Sequence, residues 1–162
     1  MASDDRSEKL EIYKLMVEMA DRVSQRRQAS NSFYLTLNTL IFGGTAYVRV
    51  ITDSHMLVIA ICMAGIMASV LWASSISSYK TLNTAKFAVI HEMELGFSYR
   101  PFTEEWRRLD PDQDGIRHKP FHVTEVAVPR IFLGLYCFQV IVALPWRWIA
   151  ACLAVDSSGS GF

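Results

Sequence analysis

The sequence predicts an all-α integral membrane protein, and the distribution of charge supports this class. Residues 31–79 of the 162 carry only two formal charges, Arg49 and Asp53. These charges divide the region into two apolar runs, and a helix of about 20 residues crosses a lipid core of about 30 Å. The flanking segments are highly charged, with six basic and six acidic side chains in 1–30 and eight of each in 80–130. A hydrophobic helical hairpin with water-exposed extensions is therefore expected.

The first helix is expected to begin well outside the membrane. Residues 8–30 place apolar side chains on two adjacent helical stripes, so about half of the circumference is apolar. No proline or glycine separates this segment from the apolar run that follows. We therefore predict one continuous helix over about residues 7–50, with 8–30 as a cytoplasmic amphipathic helix and 31–51 as the first transmembrane segment.

The second helix is expected to mirror the first. Residues 56–76 form the second apolar run, joined to the first by the short link RVITDSH. Helical spacing of apolar residues then continues to Met93 and ends near Gly96, a typical helix stop. Residues 77–125 are predicted to be a cytoplasmic helical extension with a small turn-rich cap. Within this cap, Thr103 followed by two glutamates indicates the start of a short helix.

A third apolar segment, 126–148, is predicted to be a further transmembrane helix, with an interfacial helix as the alternative. Residues 131–144 are uncharged, and the run reaches about 20 residues only if it includes Arg130. Arg130 can extend to the headgroups, and Trp146 and Trp148 are typical of a membrane interface. Residues 156–162 are typical of a linker or cloning scar.

Basic residues predict the orientation. Arginines precede the first span and lysines follow the second, whereas the link between the two spans holds only Arg49. By the positive-inside rule, the N-terminus and residues 77–125 face the cytoplasm. No secretory signal peptide is expected, because the first 30 residues lack an apolar core. The predicted membrane-interface anchors are Arg26, Arg27, Lys80, Arg130, Trp146 and Trp148.

Catalytic and metal-binding motifs are incomplete. Residues 110–115 imitate the start of a calcium loop, but Phe121 occupies the position that needs a bidentate glutamate. His91 and Glu92 begin a zinc-protease pattern, yet Leu95 stands where the second histidine is required. The three cysteines lie in apolar runs without ligand spacing. The sequence therefore predicts no enzyme, cofactor, metal site or direct nucleic-acid binding.

A polar stripe runs along the first helix. Ser24, Asn31, Asn38 and Thr45 recur every seven residues, which places them on one slowly drifting face. Asparagine within a membrane span is costly unless another helix or water satisfies it. The stripe therefore either bonds helices within one bundle or faces a symmetry axis and lines a narrow channel. Gly43 and Gly44 nearby would allow another backbone to approach closely.

Several segments resemble a known family. They are EIYK at 11–14, NSFYLTLN at 31–38, SYKTLNTAKFAVIHEME at 78–94, RPFTEEW at 100–106, and Thr124-Glu125 followed by Pro129, Phe132 and Tyr136. Over about residues 10–140 the chain resembles the RipA-like small inner-membrane proteins of bacteria, a group that includes the accessory membrane protein of type VI-B CRISPR systems. The resemblance implies a homo-octameric ring in the bacterial cytoplasmic membrane. For the CRISPR-associated members it also implies a pore that an RNA-guided nuclease activates in antiviral defence.

Two functions are compatible with these features. The first is an oligomeric inner-membrane pore or permeability effector, in which Asn31, Asn38 and Thr45 line the conduit and the cytoplasmic region senses a partner. The second is a non-conducting membrane scaffold whose ring positions a cytoplasmic partner. The lipid bilayer and further copies of the chain are expected partners in both.

Overall fold

The computed structural model describes residues 2–109 and 121–144, and these residues are helical except for short connections. The helices are α1 (Ala2–Ile51), α2 (His55–Glu94), α3 (Pro101–Leu109) and α4 (Phe121–Ala143). The predicted all-α class is confirmed for this part of the chain. At 1.5 Å per residue, α1 with 50 residues and α2 with 40 are about 75 Å and 60 Å long. Both helices are therefore much longer than a bilayer is thick.

The helix ends follow local side-chain chemistry. Ser54 caps α2, since its hydroxyl accepts a hydrogen bond from the Leu57 amide at 3.4 Å. The cap helix α3 begins at Pro101 rather than at Thr103 as predicted, because proline is well suited to the first helical position. Likewise, α4 begins at Phe121, before the predicted 126, because its first turns are polar and hydropathy marks only the apolar part.

The second helix is the centre of the bundle. It packs along both α1 and α4, whereas α3 contacts only the end of α2. Helix α4 runs antiparallel to α2, since Phe132 lies beside Trp72 and Gln139 lies beside Cys62. Near the link, the Arg49 guanidinium donates to the Gln139 carbonyl at 3.1 Å, which ties α1 to α4. Three helices thus lie side by side over the apolar segments.

Two helices among the described residues are long and apolar enough to cross a membrane, namely α2 and the part of α4 over Glu125–Ala143. Only 33% and 17% of their most apolar windows are buried inside the protomer, unlike the core helix of a soluble protein. In segment 31–51 of α1, asparagine, threonine and glycine interrupt the apolar residues, and its role as the first span stays a prediction. The boundaries of the other spans and the orientation also stay predictions.

The tightest contact of the bundle joins α2 to α4 at Gly65. A Cβ atom added to Gly65 would lie 2.3 Å from Cζ of Tyr136. The Tyr136 ring is fully buried, and its hydroxyl donates to the Asn38 carbonyl at 2.8 Å, so the ring cannot easily move aside. The glycine therefore allows α4 to approach α2 closely.

We expect Gly65→Ala to destabilise the protomer by about 1–3 kcal/mol, the usual cost of overpacking a tight site. Gly43→Ala is the matched control, because an added Cβ at Gly43 meets no atom within 4 Å. Thermal unfolding of the detergent-solubilised protein measures both. Equal stability of the two variants would contradict the close contact between Gly65 and Tyr136.

Candidate functional site

Asn38 is the centre of a buried hydrogen-bond network that joins three helices. Its side chain is 0% exposed. Its Oδ1 accepts from the Ser69 hydroxyl of α2 at 2.9 Å, and its Nδ2 donates to the Tyr34 carbonyl at 2.9 Å. Its own carbonyl accepts from the Tyr136 hydroxyl of α4 at 2.8 Å. Every polar atom of this side chain is therefore satisfied without water, as an apolar environment requires.

The other members of the stripe fall into two groups. Asn31 bonds a second helix, since its Oδ1 accepts from the Trp72 indole N–H at 2.9 Å. Thr45 and Ser24 instead donate to carbonyls of their own helix, those of Phe42 at 2.6 Å and Ala20 at 3.3 Å. Interhelical bonds are therefore concentrated at Asn31 and Asn38.

These distances support the inter-helix role of the stripe. Asn38 and Thr45 are fully buried within the protomer, and Asn38 contacts both α2 and α4. A lining role for Asn31, Asn38 and Thr45 in an assembled pore stays a prediction, and it requires these contacts to open.

Gly43 and Gly44 have no close neighbour among the described residues. A Cβ atom added to either would meet nothing within 4 Å. Close packing through these glycines against another protomer stays a prediction. Within the protomer, Gly65 makes the close approach, which sequence reasoning missed because nothing in the sequence places Tyr136 opposite it.

The predicted interface anchors have different surroundings. Arg27 is half-buried and lies 3.8 Å from the Glu125 carboxylate of α4, whereas Arg26, Lys80 and Arg130 are exposed. Trp146 and Trp148 lie outside the described residues, as does the calcium-loop-like segment 110–115. Among the residues that the structure describes, no group of three or more His, Cys, Asp and Glu side chains could hold a metal.

A second polar face of α1 points away from the protomer. Its members are exposed and follow the i, i+4, i+7, i+11 spacing of one helical face. The Thr36 and Thr39 hydroxyls donate to the carbonyls of Ser32 and Leu35 at 2.9 and 2.8 Å, which leaves their acceptor lone pairs directed outward. We refer to this surface as the hydroxyl face; it comprises Ser32, Thr36, Thr39 and Gly43.

The charged extension of the helices, which is predicted to be cytoplasmic, has its own buried polar centre at Glu94. This carboxylate is 0% exposed and accepts from the amides of Phe102 and Thr103 at 2.8 and 3.0 Å. It also accepts from the Thr103 hydroxyl at 2.6 Å and the Tyr13 hydroxyl of α1 at 3.1 Å. Glu94 of α2 therefore places a negative charge at the N-terminus of α3 and caps it. Through Tyr13, the same carboxylate joins α2 and α3 to α1.

Hydrogen bonding determines the ionisation of this centre. Burial alone would raise the pKa of Glu94, but the bonds from Thr103, the Phe102 amide and Tyr13 outweigh it and lower the pKa. Burial, with a further contribution from Glu94, raises the pKa of Tyr13 to about 12. The centre is therefore a carboxylate and a neutral phenol at neutral pH.

The quoted sequence motifs meet at these two networks. Tyr13, Glu94 and Thr103 come from three separate motifs and converge at one carboxylate. Asn38 and Tyr136 come from two others and converge within the apolar bundle. The motifs therefore encode contacts between helices.

Comparisons with known proteins agree with this architecture. A family model described as the octameric membrane protein family (8xMP) matches residues 10–145, more than four fifths of the chain. The match extends from the exposed start of α1 through the end of α4. No curated protein and no solved structure matches the chain.

We expect Glu94→Gln to weaken the capping of α3 and its attachment to α2, because one of the two carboxylate oxygens, an acceptor, is replaced by an amide donor that faces backbone N–H groups. Loss of a cap costs about 1 kcal/mol, so α3 amides should exchange hydrogen roughly five- to tenfold faster. Glu92→Gln changes an exposed carboxylate two residues away and should leave the exchange unchanged.

Acid should reproduce this effect in the unaltered protein. The pKa of folded Glu94 lies below its ordinary value of 4.5, so its contribution is fully present above pH 4.5 and is lost as the pH falls through the folded pKa. The protection of α3 amides, taken relative to their intrinsic exchange rates at each pH, should therefore fall below pH 4.5 in the unaltered chain and change less in Glu94→Gln. Similar acid responses of the two proteins would refute the role of Glu94.

A double-mutant cycle tests the network in the bundle. Asn38→Ala and Ser69→Ala should show a coupling energy of about 0.6 kcal/mol and at most about 1.7 in unfolding measurements, the average and the maximum known for polar pairs between membrane helices. Asn38→Ala with Ser75→Ala is the control pair, because the Ser75 hydroxyl bonds the Leu71 carbonyl of its own helix. If both pairs are simply additive, the Asn38–Ser69 bond contributes nothing to stability.

Proposed function

The chain belongs to the octameric membrane protein family, and on that premise we propose that eight copies form a ring that makes the bacterial cytoplasmic membrane permeable. The observation that supports this proposal most directly is the octameric assembly of the family. The protomer contributes two helices that are apolar enough to span a membrane and a third, α1, whose exposed surface carries hydroxyl groups.

A closed ring of eight has an unavoidable central space. Suppose that one helix from each copy faces the centre and that neighbouring helices are in contact, about 10 Å apart. Their axes then lie on a circle of radius about 13 Å, which leaves an opening of radius about 8 Å inside the helix surfaces. Wider spacing of the protomers enlarges this opening. Water, lipid or part of the chain has to fill it.

The hydroxyl face of α1 is the surface that best suits a water-filled centre. Thr36 and Thr39 satisfy their donors within α1 and present acceptors outward. The neighbouring face of α1 exposes large hydrophobic side chains, among them Phe33 and Leu40, which suit lipid. We therefore place Ser32, Thr36, Thr39 and Gly43 toward the conduit.

The cytoplasmic extension is suited to control. Glu94 fastens α3 to the ends of both long helices, so a partner that binds α3 acts directly on α1 and α2. The RNA-guided nuclease implied by the resemblance stays a prediction for that partner, as does a role in antiviral defence.

A non-conducting scaffold is the second candidate. It is favoured by the large apolar side chains that α3 and the connection before it expose, Leu95, Tyr99 and Trp106, which suit protein contacts. In this case lipid or apolar side chains fill the central space, and the ring conducts under no condition.

Flux through liposomes that contain purified octamers distinguishes the candidates. We expect the unaltered protein to release a small encapsulated dye and Thr36→Leu/Thr39→Leu to release less, because apolar constrictions lose water. Thr81→Leu is the control, since Thr81 is an exposed residue of α2 with the same hydroxyl-to-carbonyl bond, at 3.2 Å.

Three results would change the assignment. Absence of flux from intact unaltered octamers would favour the scaffold. Unchanged flux in the double threonine variant would remove the hydroxyl face from the conduit. Loss of flux in Asn38→Leu with the octamer intact would instead support the buried stripe as the lining.

A further inference from the structure

A closed ring requires each copy to present two different surfaces that fit each other at the same height. This requirement rests on the ring of eight proposed above for a member of an octameric family, and it is independent of whether the ring conducts. The cytoplasmic extension carries two surfaces of this kind. One is a groove between α2 and α3, and the other is a flank of α1.

The groove is a cavity of about 640 Å³ whose walls are aromatic. Phe87 of α2 and Phe102 of α3 form its base with ring centroids 5.6 Å apart, and Trp106 stands at its side. Two acceptors accompany these rings. Glu105 is exposed, and the buried Oδ1 of Asn83 has no hydrogen-bond partner among the described residues. The groove therefore suits an apolar helix with a neighbouring cationic donor.

The flank of α1 has the matching chemistry. Ile12, Leu15 and Met19 follow i, i+3, i+7 spacing and are 45%, 54% and 41% exposed, although they lie far from the apolar segment 31–51. Arg26 continues the same line toward the membrane and is exposed. No other part of the described protomer covers this line, which we call the α1 flank.

The two surfaces lie at the same height. The bonds Tyr13–Glu94 and Asn31–Trp72 fix how α1 is aligned against α2. Between these bonds, the groove-lining part of α2, from Asn83 to His91, lies level with about residues 16–22 of α1, so Met19 faces this level, with Leu15 next to one end of it and Arg26 beyond the other. No residue of α1 lines the groove, so one copy can present the flank while receiving another copy in the groove.

The directions of the faces also suit a ring. At 3.6 residues per turn, the α1 flank, the hydroxyl face and the face that contacts α2 lie roughly 120° apart around α1. A helix with this arrangement can contact its own protomer, a neighbouring protomer and the centre at once.

We propose that the α1 flank of each copy packs into the α2–α3 groove of the next copy. Ile12, Leu15 and Met19 cover the aromatic walls of the neighbour. Arg26 approaches the acceptors of the neighbour's groove, the Glu105 carboxylate and the Asn83 amide oxygen. This contact repeats eight times in one direction and closes the cytoplasmic part of the ring.

Disulfide crosslinking tests the direction and the surfaces. In purified octamers whose native cysteines are replaced by alanine, Leu15→Cys/Ala88→Cys should give a ladder of covalent oligomers up to eight copies on oxidation, because Ala88 lines the groove. Each single variant should stay monomeric on the same gel. Lys14→Cys/Ala88→Cys is the matched control, since Lys14 points roughly 100° away from Leu15.

Equal ladders from the two double variants, or no ladder from intact octamers, would overturn the proposal. Covalent dimers from Leu15→Cys alone would show a two-fold contact instead.

A charge exchange provides a second measurement. Arg26→Glu should lower the octamer fraction in size-exclusion chromatography, and Arg26→Glu/Glu105→Arg should restore it. Failure of the double variant to recover would remove Arg26 and Glu105 from the contact.

Discussion

The assembly of α1, α2 and α4 depends on hydrogen bonds that no water can replace. In lipid, apolar helices gain little by leaving their surroundings, so close packing and polar contacts have to hold them together. Asn38 supplies the polar contact with Ser69, and its carbonyl receives Tyr136. Gly65 supplies the close packing against the same tyrosine ring. One small region thus determines how the three helices are aligned.

The two long helices are fastened at two distant levels. Asn31 and Asn38 fix them within the apolar region, and Tyr13 with Glu94 fixes them in the charged extension. Because α1 and α2 continue without a break between these levels, a displacement at α3 moves rigid elements that reach the apolar segments. This continuity gives the chain a physical route between α3 and the apolar segments.

Sequence patterns predicted the elements better than the contacts between them. The uninterrupted α1 and the extension of α2 beyond the apolar run follow from helical spacing and, for α1, from the absence of proline and glycine before the apolar run. The seven-residue stripe identified Asn31 and Asn38 but could not choose their partners, because Ser69 and Trp72 are distant in sequence. In the sequence, Glu94 lies within an incomplete zinc-protease pattern that assigns it no role, and nothing distinguishes Gly65 from Gly43. Both owe their importance to residues that only the folded chain brings near.

Tyr136 serves two helices with one side chain, and this links positions that are far apart in sequence. Its hydroxyl reaches α1, while its ring fills the space that Gly65 leaves open on α2. A smaller residue at position 136 would leave a void that a larger residue at position 65 could fill. Positions 65 and 136 are therefore expected to evolve as a pair, and each substitution should be tolerated chiefly in the presence of the other.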